Sequence, residues 1–271
     1  HYHPSMYDRY IVNSKPAIIK QIVTLVSILS AFGMNIFANI NPFNGLTIGE
    51  ISNQFFSNIL ITPANYAFAI WGVIYLGLIS LAIYQALPSQ RTNLILRHIG
   101  YKLAIASIAQ IIWVFCFLYR RYAWSFLAML AILLPLIAAY LCLPFNINIY
   151  RWQKWLIRTP ISIYLAWISV ATIVNGATVL ESWQWNYWGI SGDVWTIVML
   201  LLAALITHFV SIPRLDFAYA SVFIWASIAI AVRNIDNIMI SGTAIGLSIS
   251  LILVFLSFSF YAPTYRNIEN S

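Results

Sequence analysis

Eight apolar runs divide the chain, at roughly 17–40, 62–85, 102–119, 124–143, 157–178, 194–212, 215–232 and 241–261, with polar and basic residues gathered between them. A hydrocarbon core takes about 20 helical residues to cross, and in lipid only helices or closed barrels satisfy their own backbone. Barrel strands need only about 10 residues, so these runs predict membrane-spanning helices. The second run, TPANYAFAIWGVIYLGLISLAIYQ, carries no charge and opens on Pro63, a residue suited to the first helical position. Along it Phe68, Trp71 and Tyr75 fall at i, i+3 and i+7, while Ile70, Ile74 and Leu76 lie elsewhere. Lipid alone does not require an aromatic stripe. A bundle interior or a flat ligand would use one.

The other runs carry sparser polar signals. Asn35 and Asn39 lie one turn apart in the first run and are expected to face protein, because an unpaired amide in lipid is costly. The connection from Asn41 to Ile61 is long and has no Lys or Arg, which fits either a lid over the outer mouth of the bundle or a plain exposed loop. In ESWQWNYWGISGDVW, the tryptophans and tyrosine at Trp183, Trp185, Tyr187, Trp188 and Trp195 form either an interfacial aromatic belt or a closure over a ligand. His208 is a weak metal candidate, with a hydrogen bond to a neighbour the simpler reading. Arg233 and Asp236 read as a solvated pair at a helix end. Gly242, Gly246 and Ser250 form a small-residue stripe suited to close packing, inside the bundle or against another subunit.

Composition sharpens this. Of 271 residues, 62% are hydrophobic and 8% charged, against about 25% charged in soluble domains. The net charge of +7 does not point to nucleic acid, because the basic residues sit in short connections. If the amino terminus is cytoplasmic or stromal, eleven of the fourteen Lys and Arg fall on that side, and only Arg120, Arg121 and Arg233 oppose it. Both termini are then expected inside, with an even number of spans. No cleavable signal peptide is expected, since the first run is too long for an h-region. The leading HYHPS is left out of the fold. Cys116 and Cys142 have no metal or disulfide spacing and read as buried small hydrophobes. No catalytic constellation, metal site or phosphate-cradling glycine loop is present in the pattern, and no carboxylate sits mid-span for proton-driven transport.

Three runs taken together carry a resemblance. The second gives Trp71 and Tyr75 in PANYAFAIWGVIY. The third gives Gln110, Trp113 and Phe117 in AQIIWVFCF. The fifth gives Tyr164, Trp167, Ala171 and Asn175 in YLAWISVATIVN. This resembles the TspO/MBR family, the tryptophan-rich sensory proteins related to the translocator protein, in a long form of the kind associated with cyanobacteria and plastids. The resemblance implies an all-α integral membrane fold of about eight spans: a tail at 1–16, a TspO-like five-helix bundle at 17–180, and an aromatic loop with a three-helix extension at 181–271. It also implies binding or sensing of a porphyrin or another tetrapyrrole, such as a chlorophyll or haem precursor, between the second, third and fifth spans. Trp71 and Trp167 match the family's pocket tryptophans, Gln110 replaces its usual Asn, and Ala171 and Asn175 match outright. The departures are a lone Pro63 in place of W-x-P-P, Phe68 near a missing Pro, and Ile163 before Tyr164. The Tyr and Arg of the family's sterol motif are also absent after Asn175, so sterol binding is not carried over. Val114, Tyr119 and Arg121 satisfy that loose pattern only formally.

The residues themselves allow a cavity lined by Trp71, Tyr75, Gln110, Trp113, Phe117, Tyr164, Trp167, Ala171 and Asn175, or a bundle interior simply filled by them. The expected partners are the lipid bilayer and a planar hydrophobic ligand, with a homodimer or a larger membrane complex as further possibilities. The expected membrane is a bacterial inner, thylakoid or plastid one. The second functional reading is a non-catalytic accessory subunit of a larger complex, such as a photosynthetic pigment–protein assembly. A third, permitted by the resemblance alone, is porphyrin degradation relying on Trp71 and Trp167.

Overall fold

A computed structural model describes residues 5–12, 14–145 and 151–266; His1–Pro4 of the leading HYHPS therefore lie outside the described residues. In chain order the helices are α1 (Met6–Val12), α2 (Lys15–Ile40), α3 (Ile48–Phe55), α4 (Ile70–Ala86), α5 (Leu94–Leu118), α6 (Tyr122–Leu141), α7 (Arg151–Gln153), α8 (Thr159–Ser182), α9 (Gly192–Arg214), α10 (Phe217–Arg233) and α11 (Ile238–Arg266). No strand occurs among the described residues. Among the described residues seven helical stretches are long and apolar enough to cross a membrane: Lys15–Ile40, Asn65–Ala86, Leu94–Leu118, Tyr122–Leu141, Arg151–Ser182, Gly192–Arg214 and Ile238–Phe258. The one apolar run outside these, at 215–232, is α10, whose 17 residues give about 26 Å, somewhat short of a hydrocarbon core of roughly 30 Å. Large apolar side chains face outward along these helices, among them Leu76, Leu205 and Phe209, as a lipid-facing surface requires. The chain is an integral, multi-pass membrane protein.

Several elements start elsewhere than the apolar runs suggest, and local chemistry explains each. α5 begins eight residues before the run at 102, because the Asn93 side chain accepts from the backbone N–H groups of Ile95 and Leu96 at 3.1 and 3.3 Å. Arg97 and Lys102 therefore lie on its first turns rather than in a loop. The fifth span likewise reaches back to Arg151 through a π-helical turn, Lys154–Arg158. Pro160 has no N–H to return to the carbonyl of Leu156, so the regular ladder is interrupted just there. The second span departs most. Pro63 does not open a helix; Asn65–Ala69 is a 3₁₀ turn, and α4 starts only at Ile70. Cys142 also departs from expectation: it is exposed at the C-cap of α6, with Sγ donating to the Ala138 carbonyl at 3.2 Å, whereas Cys116 is half-buried.

The chain forms two compact units, His1–Ser57 with Ala69–Gln184, and Asn58–Phe68 with Trp185–Ser271. In the first, α5 packs on α2, α3 and α6, α6 packs on α8, and α4 packs on α2 and α8. Two glycines set close approaches. A Cβ on Gly77 would stand 3.1 Å from Cβ of Pro160, and one on Gly100 would stand 3.1 Å from Cγ of Lys20. Beside the latter, Thr24 donates to the Gly100 carbonyl at 3.1 Å and ties α2 to α5. The segment after α2 folds over the C-terminal end of α5 and the start of α6. Phe43 stacks on Phe115 at 4.8 Å, Asn44 donates to the Leu118 carbonyl at 3.2 Å, and Phe56 meets Tyr122 edge-on at 4.9 Å. Its helix α3 is held by a capping box between Thr47 and Glu50 and buries Ile51 completely.

In the second unit α9, α10 and α11 pack on one another, and Asn58–Phe68 lies against α10. Arg233, read from sequence as half of a solvated pair, is half-buried and donates to the carbonyls of Ile59 and Thr62. Asn234 donates to the Leu60 carbonyl at 2.9 Å, the Ala229 carbonyl accepts from Ala64 at 3.1 Å, and Trp225 donates to Ala67 at 3.0 Å. Of these groups, the carbonyls of Thr62 and Ala67 are ones that a regular helix from Pro63 would have used in its own ladder. Phe68 accordingly falls in this unit, and the aromatic stripe of the second span shortens to Trp71 and Tyr75. Trp185 packs on Tyr187, Trp188 and Trp195 at 5.2–5.4 Å, while Trp195 donates to the Tyr187 carbonyl at 2.8 Å. A Cβ at Gly242 or Gly246 would meet nothing within 4 Å, so these glycines of the α11 stripe make no close helix contact among the described residues.

Candidate functional site

The interior of the first unit holds a chain of neutral polar side chains drawn from four helices. Asn35 of α2 donates to the Tyr75 hydroxyl of α4 at 3.2 Å. Gln110 of α5 donates through Nε2 to the same oxygen and accepts through Oε1 from the Tyr164 hydroxyl of α8. Tyr75, Gln110 and Tyr164 are all buried, Tyr164 to 1% exposure. Aromatic rings surround the chain. Trp71 stacks on Tyr75 at 5.7 Å and 27°, meets Tyr164 at 6.2 Å and 66°, and remains half-buried; Phe32 approaches Tyr75 from α2 at 5.2 Å. In a dry interior each unpaired amide or hydroxyl costs a few kcal/mol, so such a chain persists only where partners are supplied.

Helix geometry explains why these residues meet. Trp71 and Tyr75 are one turn apart on α4, and Gln110 and Trp113 are one turn apart on α5. On α8, Tyr164, Trp167, Ala171 and Asn175 lie along one face. The approach of α4 to α8 at Gly77 and Pro160 brings the first and third of these faces together.

A second polar cluster lies further along α5 and α8. The Trp113 indole N–H donates to Asn175 Oδ1 at 2.6 Å, and Asn175 Nδ2 donates to Ser125 Oγ of α6 at 3.2 Å. Trp113 stacks on Phe117 at 5.2 Å, and Phe117 meets Tyr122 at 5.5 Å. Tyr164 and Asn175 are separated by about 16 Å of helix. The nine residues singled out from sequence thus fall into a Trp71–Tyr75–Gln110–Tyr164 group and a Trp113–Phe117–Asn175 group. Trp167, buried to 2% exposure, and half-buried Ala171 lie between them on α8.

Sequence reasoning missed Phe32, Ser125 and Tyr122. Ser125 and Tyr122 are three apart at the start of α6, a run whose apolar composition drew no attention. Asn35 and Asn39 were both expected to face protein; Asn35 does so by reaching Tyr75, whereas Asn39 is exposed and donates back to Asn35 Oδ1 at 2.9 Å.

Neither cluster contains a charged side chain or a metal ligand. Among the described residues no group of three His, Cys, Asp or Glu comes together. His208, in the second unit, places Nδ1 2.7 Å from the Ala204 carbonyl one turn back, the geometry of a neighbour hydrogen bond.

The sequence profile of a family described as TSPO-like protein matches residues 21–257 of the chain, from within α2 to within α11. No curated protein and no solved structure matches it.

Proposed function

The chain belongs to the TSPO-like protein family, and on that premise we propose that it binds or senses a flat hydrophobic ligand of the tetrapyrrole class among α4, α5 and α8. The observation that carries this reading is the donor balance at Tyr75. Its hydroxyl oxygen accepts from both Asn35 and Gln110, so its own proton is left to give, and no acceptor for it stands among the described residues. Gln110 uses one N–H of its amide on Tyr75 and keeps a second. A carbonyl or carboxylate on a planar guest would accept both protons, while the half-buried Trp71 indole supplies apolar contact beside them. The residues suit a metal-free macrocycle, because they offer stacking and hydrogen bonds but no His, Cys or Met for a metal.

Titration of the purified full chain with protoporphyrin IX tests this, followed by tryptophan quenching and by the Soret band. Wild type is expected to bind saturably. Tyr75→Phe is expected to weaken binding roughly tenfold, the scale of one hydrogen bond to a charged group. Unchanged affinity in a Trp71→Phe, Tyr75→Phe, Gln110→Leu triple variant of intact helicity would remove the site. Co-migration with other polypeptides and no porphyrin binding would favour the accessory-subunit reading, to which the open glycine face of α11 is suited.

A further inference from the structure

At the other end of the first unit, the N-terminal turns of α2 and α5 and the C-terminal end of α4 enclose a recess of about 250 Å3. Its lining includes Lys20, Arg91 and Arg97, and among the described residues no acidic side chain lines it. We infer that this recess binds a phosphate-bearing anion. Sites that engulf a whole cofactor usually measure roughly 300–1,000 Å3, so this one is headgroup-sized.

Two of the three cations, Lys20 and Arg91, are oriented by neighbouring acceptors. Gln21 and Gln85, both buried, bond reciprocally: Gln21 Nε2 donates to the Gln85 carbonyl at 2.8 Å and Gln85 Nε2 to the Gln21 carbonyl at 2.9 Å. That lock fixes α2 against α4 and leaves Gln21 Oε1 to accept from Arg91 Nε at 2.8 Å, which orients the guanidinium. Across the recess, Lys20 Nζ donates to the Arg97 carbonyl at 2.9 Å and stands 4.9 Å over the Tyr101 ring. An ammonium has three protons, so two remain for a ligand. The Arg97 guanidinium finds no acceptor among the described residues. Gly100 leaves room for the Lys20 stem, because a Cβ there would crowd its Cγ and Cδ at 3.1 and 3.2 Å.

Like charges gathered in one recess repel, and the repulsion is strongest where water is partly excluded. A phosphate relieves it: its oxygens accept from guanidinium groups in bidentate geometry and from an ammonium as a point charge. The recess lies at helix ends, where a membrane lipid presents its phosphate, and on the face that the charge bias assigns to the cytoplasm or stroma, where anionic lipids create a negative surface potential. A soluble phosphate would meet the same groups.

The full chain in discs of phosphatidylcholine, with or without phosphatidic acid, separates the sources. Lipid retained through detergent extraction is read by native mass spectrometry, and thermal unfolding is read with inorganic pyrophosphate against chloride of equal ionic strength. Preferential retention of phosphatidic acid supports a lipid headgroup; stabilisation by pyrophosphate without such retention supports a free anion. In either case Arg97→Gln is expected to reduce the effect roughly tenfold, and Arg97→Lys to restore part of it. Arg97→Gln keeps the backbone carbonyl that Lys20 uses, so the fold survives the change. The inference is overturned if neither probe exceeds the chloride control, or if a helical Arg97→Gln protein matches wild type. Whatever it does to basal stability, Tyr75→Phe is expected to leave lipid retention and the pyrophosphate-induced shift unchanged, which keeps this site independent of the porphyrin reading.

Discussion

One amide, Gln110, joins α4 to α8 through two phenols, and it illustrates how much a single neutral side chain can carry inside a membrane bundle. In water-based proteins, leaving such a group half-satisfied costs about 1–3 kcal/mol, but within membranes measured couplings average only about 0.6 kcal/mol, because the unfolded state in lipid finds partners too. A double-mutant cycle of Trp113→Phe with Asn175→Ala, read by unfolding in mixed micelles, is therefore expected to give a coupling near 0.6 kcal/mol. A value of zero would mean that the 2.6 Å contact contributes nothing. Tyr164→Phe is expected to lower the same unfolding free energy by about 1 kcal/mol, because Gln110 Oε1 loses its donor. Much at this scale was legible beforehand. The spacings of Trp71 with Tyr75, and of Gln110 with Trp113, fix which residues share a helix face, and in a bundle a buried face must meet another. Ser125 was not legible, because a serine near a helix start has many ordinary uses and only the partner helix reveals this one.

Among elements, α4 provides a test contained within one helix. Gly77→Ala must push against Pro160 at 3.1 Å, where backbone and ring leave little to give, and is expected to destabilise by about 1–3 kcal/mol. Gly72→Ala has nothing within 4 Å and gains helix propensity, so it is expected to be neutral or to stabilise by up to about 1 kcal/mol. Thermal unfolding of the two variants side by side checks both; equal effects would mean that α4 and α8 do not approach closely there. The same helix shows where element reading from sequence stops. Pro63 is a sound local start signal, yet the backbone beyond it is bonded to Trp225 and Ala229, far along the chain, and nothing near Pro63 announces either. The start of α5 was missed for the opposite reason: Asn93 is a strong cap, but apolarity alone sets a boundary where lipid begins, not where the helix does. Lys20 and Arg97 sit in that overlap, inside helices yet near their ends.

For the whole molecule, the basic residues and the number of apolar helices make a joint claim. If α10 crosses despite its 17 residues, by local thinning of the bilayer or by shifting its neighbours, the spans number eight and both termini share one face. Single cysteines placed near Met6 and near Arg266, in a chain lacking Cys116 and Cys142, are expected to react with an impermeant maleimide from the same side of sealed vesicles. Opposite sidedness would mean seven crossings and an α10 that lies within the membrane. The membrane class was legible from composition alone, since 8% charged residues cannot cover a soluble protein of this size. The division into two compact units was less so, because Asn58–Phe68 belongs with residues far along the chain.

That segment has a consequence for biosynthesis. Ile59 and its neighbours are translated 174 residues ahead of the arginine that binds them, so their carbonyls must wait, hydrated or borrowed by the insertion machinery, until α10 is made. The second unit therefore cannot mature in order of emergence. A ribosome stalled after Gln184 would hold a nascent chain whose early loop is still without its permanent partners.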